Sequence, residues 1–108
     1  MCKCQTVTIS LSGNAAALSF LSGDYQKSTN TNGHPSWVNS NYGIWYYDGY
    51  KDWVVGSIAK IGTGTRWIDS VGQGGFKCPF EISSKKWKLW YGGQWNIGNG
   101  VSFSCSQV

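Results

Sequence analysis

The clearest pattern in this chain is short-range alternation. Thr6-Val7-Thr8-Ile9-Ser10-Leu11 places Val7, Ile9 and Leu11 on one face and hydroxyl side chains on the other. A period of two is the signature of a strand with one buried face. Runs rich in Val, Ile, Trp and Tyr recur along the chain, and glycines separate them. Further strands are predicted at Gly23–Ser28, at Trp37-Val38, over Arg66–Val71 and at Val101–Cys105. Ile44–Val55 reads as a hairpin around Asp48-Gly49, and Lys86–Ile97 as a second one through Gly92-Gly93. Ala15–Leu21 is the one stretch that suits a helix, of about one turn. Asn32-Gly33 and Gln73-Gly74-Gly75 are turn signals. About eight short, locally joined strands predict an all-β fold, an antiparallel sandwich or small barrel.

The two hairpins decide which aromatic rings face outward. In the second, Trp87, Leu89 and Tyr91 alternate with Lys86, Lys88 and Trp90. A three-residue turn, Gly92-Gly93-Gln94, sets Tyr91 opposite Trp95 and Leu89 opposite Ile97, so the apolar faces match. That register puts Trp90 on the wet face beside Lys88 and Asn96. In the first hairpin Ile44, Tyr46 and Trp53 fall together and read as core. Trp45, Tyr47 and Asp52 share the other face, with Tyr50 at the turn. That mixture suits a flat polar ligand or a strand buried on both sides. Trp45-Tyr46-Tyr47-Asp48-Gly49 and Trp90-Tyr91-Gly92-Gly93 echo one another, each followed by a further Trp, but no fixed period recurs.

Composition narrows the class. With 108 residues, 13% charged and 16% aromatic, the chain predicts one domain and excludes a coiled coil or a charged disordered tail. No run approaches the ~20 apolar residues of a membrane-spanning helix. Cys2, Cys4, Cys78 and Cys105 form an even set in a short chain, which favours disulfides. Cys2 and Cys4 are too close to pair, so each pairs with Cys78 or Cys105, and Cys4–Cys105 is the preferred bond. A zinc site is the rival, but one C-x-C followed by two isolated cysteines is poor metal spacing. Disulfides predict a secreted, extracellular setting. Met1 followed at once by Cys2 then reads as an added start residue on a mature domain.

Candidate chemistry is sparse. His34 is the only histidine and sits in a turn. The five carboxylates supply no evident general acid, no phosphate loop occurs, and no cofactor or metal is expected. The reading is non-catalytic. Indole and phenol rings stack on the C–H faces of sugars, and Asn, Gln and Asp bond their hydroxyls. A lectin-like carbohydrate-binding domain follows, with Trp90 and Asn96 as the first candidate patch. Trp45, Tyr47, Tyr50 and Asp52 form the second. Lys85, Lys86 and Lys88, with a net charge of +4, offer an alternative partner, an anionic microbial surface. Specific nucleic-acid binding is not expected, since strand alternation leaves only Trp90 beside these lysines. A structural or protein-binding module remains a further alternative. Weak single sites favour a homo-oligomer.

Ser22-Gly23-Asp24-Tyr25, Asn32-Gly33-His34-Pro35-Ser36-Trp37, Ile44-Trp45-Tyr46-Tyr47, Trp53-Val54-Val55-Gly56, Cys78-Pro79 and the stretch from Trp87 to Trp95, ending in Cys105, occur in order. This series resembles an uncharacterised module of secreted and cell-surface invertebrate proteins. The resemblance implies secretion and disulfides, and assigns no activity and no binding residue. It also implies that the position of Trp45 is simply apolar.

Overall fold

A computed structural model describes residues 2–71 and 77–107. It contains β1 (Thr6–Leu11), β2 (Gly23–Lys27), β3 (Trp37–Val38), β4 (Tyr42–Tyr47), β5 (Asp52–Ser57), β6 (Ile68–Asp69), β7 (Lys88–Tyr91), β8 (Gln94–Ile97) and β9 (Val101–Ser106). All pairings are antiparallel, in a single sheet of order β8-β7-β6-β5-β4-β3-β2-β1-β9. The all-β antiparallel expectation holds. The architecture is one sheet of nine strands curled into a half-barrel, not a closed sandwich.

The core lies inside the curl. A row of directly paired residues crosses the sheet on its inner face: Trp37, Ile44, Val55, Ile68 and Leu89, all fully buried. Val7, Ile9 and Tyr25 extend that surface, as the alternation in β1 predicts. Trp53 and Tyr46 pack edge to face at 5.5 Å, and His34 stacks on Tyr46 at 3.9 Å. The turn residue His34 is therefore half-buried, held by the bridge between Thr31 and His34. Asn32 and Gly33, at φ 54° and 81°, supply the left-handed pair that this tight turn needs.

The predicted helix is a 3-10 helix over Gly13–Leu21, which lays Ala15, Leu18 and Leu21 on the core. The two sheet edges approach one another. The Trp87 ring, just before β7, stacks on Phe103 of β9 at 4.3 Å and 12°. Asn14 and Asn99 bond each other reciprocally through backbone N–H and side-chain oxygen, and Asn14 also donates to the Ile97 carbonyl. Cys2 is bonded to Cys78 and Cys4 to Cys105, which settles the pairing and excludes the zinc alternative.

Three local expectations are corrected. The strand expected over Arg66–Val71 is only Ile68–Asp69. Lys85 and Lys86 lie in a 3-10 turn over Ser84–Lys86, outside the strand. The turn of the second hairpin has two residues: Tyr91 pairs with Gln94, Trp90 with Trp95 and Leu89 with Asn96. Gly92 and Gly93, at φ 64° and 76°, adopt the left-handed pair that matches strand twist. The predicted turn at Gln73-Gly74-Gly75 lies outside the described residues.

Two outcomes are expected. Replacing Cys4 and Cys105 together by Ser should lower unfolding free energy by about 2–4 kcal/mol, because their bond closes a loop spanning a sequence separation of 101. Urea unfolding measures it, and an unchanged midpoint would contradict the assignment. The Tyr25 hydroxyl donates to the Leu21 carbonyl at 2.7 Å, and burial raises its pKa above the ordinary 10.0. Burial raises Tyr46 as well, with Asp48 and Asp52 adding to the effect. For both, the protonated phenol is the form the fold favours. Their stabilisation is thus complete below the ordinary tyrosine pKa and declines above it. Denaturation monitored by phenolate absorbance should show stability falling only on the alkaline side of that value.

Candidate functional site

The convex face carries its own row of paired residues: Trp45, Val54, Asp69, Lys88 and Ile97. At the β4 end this face is not wet. Gly43 and Gly56 pair directly, and a Cβ at Gly56 would lie 2.8 Å from the tip of the Trp45 ring. A Cβ at Gly43 would meet Ile61 at a similar distance, 2.8 Å. The two glycines thus leave a shallow bed. The Trp45 indole and the segment around residues 61–65 fill it, and Trp45 Nε1 donates to the Thr63 carbonyl at 3.0 Å. Trp45 is fully buried for that reason, and Asp52 is buried as well. Neither is available to a ligand, which corrects the second expected patch. Of that patch, Tyr47 is half-buried and Tyr50 is exposed.

The first expected patch is corrected by the register. With a two-residue turn, Asn96 faces inward opposite Leu89, while Trp90 faces outward opposite Trp95. Trp90 and Asn96 do not meet on one surface. Asn96 Nδ2 lies 3.1–3.4 Å from the carbonyl oxygens of Leu89, Tyr91 and Gln94, so the side chain ties the hairpin instead of offering a donor to solvent. Ile97, expected inside, is 64% exposed. Lys88 does share the outer face with Trp90.

What the structure assembles instead is a chain of rings joined by one cation. Tyr47 packs edge-on against Tyr50 at 4.9 Å. The Arg66 guanidinium carbon lies 4.5 Å from the centre of the Tyr50 ring and 4.8 Å from that of Trp95. Trp95 in turn packs edge-on against Trp90 at 5.4 Å. Arg66 Nε donates to Asp69 Oδ2 at 2.7 Å, and Nη1 donates to the Gly64 carbonyl at 2.8 Å. Asp69 is almost fully buried, and its Oδ1 has no partner among the described residues. One charged acceptor, one carbonyl and two aromatic rings hold the guanidinium, and Nη2 has no acceptor among the described residues.

Beside this chain lies a cavity of about 230 Å³ lined by Ser57, Thr65, Arg66, Trp67 and Trp90. Trp67 turns its ring toward Phe20 and Tyr42, at 5.3 and 5.9 Å, and closes the inner wall. Trp90, 39% exposed, forms the outer lip, and the Trp90 N–H donates to the Trp67 carbonyl at 2.8 Å. Ser57, Thr65, Arg66, Trp67 and Trp90 therefore surround a space smaller than the ~300–1,000 Å³ of sites for drug-sized ligands. Lys85 and Lys86 are exposed on their 3-10 turn and do not line it.

Sequence reasoning reached Trp90 and missed Arg66, Asp69, Trp67 and Trp95. Arg66 and Asp69 stand three apart with opposite charge, the one local signal that could have joined them. No group of His, Cys, Asp and Glu suited to a metal occurs among the described residues, and none of the described helices is long and apolar enough to cross a membrane. Comparisons with protein-family models, with curated proteins and with solved structures find no match. The resemblance to an invertebrate module stands on its sequence motifs alone.

Asp69→Ala would leave a mostly buried guanidinium without its counter-charge. It is expected to cost about 3 kcal/mol of unfolding free energy. Replacing the pair together by apolar residues, Arg66→Met with Asp69→Leu, should restore most of that loss in urea titrations. A double variant as unstable as the single one would show that the pair is not the cause.

Proposed function

We propose that this chain is a non-catalytic carbohydrate-recognition domain of the extracellular space, and that its site is the cavity between Arg66, Trp67 and Trp90. One observation carries the reading: an exposed indole, Trp90, lines a cavity together with Ser57, Thr65, Arg66 and Trp67. An indole face matches the apolar C–H face of a sugar ring, and hydroxyls and guanidinium N–H groups match its rim. The volume suits one ring, not an extended aromatic ligand. The two disulfides accord with an oxidising compartment and hence with secretion. The proposal assigns no catalytic step. Asp69, the carboxylate nearest the cavity in the chain, is committed to Arg66, which leaves a paired-carboxylate hydrolysis without its acid. One small site gives modest affinity, so multivalent display through a homo-oligomer belongs to the same proposal.

A protein-binding module is the second reading. Ile97 favours it, standing 64% exposed on the face that carries Trp90 and Lys88. Binding through Lys85 and Lys86 to anionic surfaces would use a different part of the molecule.

A glycan array probed with the oxidised protein tests the proposal. The expected result is binding to at least one glycan class, reduced tenfold or more in Trp90→Ala with thermal stability little changed, since the ring is partly exposed. An array blank for every glycan would remove the carbohydrate reading in favour of the protein-binding one. Binding that survives Trp90→Ala would move the site elsewhere.

A further inference from the structure

We infer that the cavity selects a sugar ring bearing a carboxylate, a uronic acid, with Arg66 as the specificity-determining residue. This inference rests on the carbohydrate reading above and goes further by naming the ligand class. Its basis is the charge of the lining. Ser57, Thr65, Trp67 and Trp90 are neutral, and Arg66 is the one ionised side chain among the lining residues. No carboxylate is among the described residues that line the space: Asp69 meets Arg66 through Nε, and its remaining oxygen is buried away from solvent.

The guanidinium is also prepared for a ligand. Nε and Nη1 are engaged by Asp69 and Gly64, and the Tyr50 and Trp95 rings fix its plane. Nη2 remains without an acceptor among the described residues. A positioned guanidinium loses little freedom on binding, and a charged N–H donor bonds a carboxylate more strongly than a neutral hydroxyl. The surroundings add positive potential. Lys88 pairs with Asp69 across the strands and makes no ion pair with it, so the Asp69 charge is matched by Arg66 and Lys88 remains over. A ring stacked on Trp90 with its carboxylate toward Nη2 would meet both features of the cavity at once.

The test uses glucuronate- and galacturonate-terminated oligosaccharides, each beside its carboxyl-reduced counterpart, titrated into the oxidised protein at low salt and in about 1 M NaCl, where the Debye length is ~3 Å. The inference expects the uronate form to bind at least tenfold more tightly at low salt, with the preference shrinking at high salt. In Arg66→Gln/Asp69→Asn, which removes both charges and leaves no carboxylate unpaired, the preference should vanish while weak binding to the reduced sugar persists. Arg66→Lys should keep part of the preference, because it retains the charge and loses the plane held by the Tyr50 and Trp95 rings. Equal affinity for the two members of each pair overturns the inference and leaves the carbohydrate reading standing. So does a uronate preference that the double variant retains, or Trp90-dependent binding confined to neutral glycans. Absence of binding to any glycan overturns both. If the double variant does not fold, as circular dichroism would show, the matched sugars and the salt series on the wild-type protein still decide.

Discussion

The stack of Trp87 on Phe103 holds the molecule in its shape. A sheet with β8 at one end and β9 at the other has two open edges, and its inner face buries apolar surface only if those edges come together. Two flat rings at 4.3 Å bring them together, and the Asn14–Asn99 pair and the Asn14 bond to the Ile97 carbonyl fasten the same seam. Trp87 Nε1 is buried there without a partner among the described residues, a cost of about 1–3 kcal/mol. Burying a whole indole, at ~25 cal/mol per Å² over ~150–250 Å², outweighs that cost. The curl in turn makes the convex face convex, so Trp90 and Trp95 point away from the core at all.

Much of this fold is legible in the chain. β1 follows from the alternation of Val7, Ile9 and Leu11. The inward set of Ile44, Tyr46 and Trp53 follows from a turn with an even number of residues. The last hairpin is where the pattern misleads. Matching Leu89 to Ile97 by hydrophobicity assumes that both strands sort by polarity, and a terminal strand need not. β8 has no neighbouring strand beyond it among the described residues, so Ile97 lies exposed and Asn96 turns inward to serve the hairpin backbone. The local chemistry of two adjacent glycines in left-handed geometry outweighs the apolar match.

The site was less legible than the fold for a different reason. Trp45 has the periodicity of an exposed residue, yet a segment nearly twenty positions later covers it, over a bed made by two paired glycines. No strand pattern encodes a cover that comes from elsewhere in the chain. The same segment delivers Arg66, so the burial of one expected residue and the appearance of an unexpected one have a single cause. Residues 61–66 fold back on the sheet, seal the Trp45 side and end with a guanidinium beside Trp95.

The bond between Cys4 and Cys105 has a mechanical meaning too. It links residues near the two ends of the chain whose Cα atoms are 5.8 Å apart. Tension that enters before Cys4 and leaves after Cys105 passes directly from one sulfur to the other and never loads the sheet. Without that bond and its companion, the intervening chain could pay out roughly 3.3 Å per residue, several hundred ångströms in all. In oxidised form a pull applied at the two ends therefore bypasses the sheet and the cavity beside Trp90.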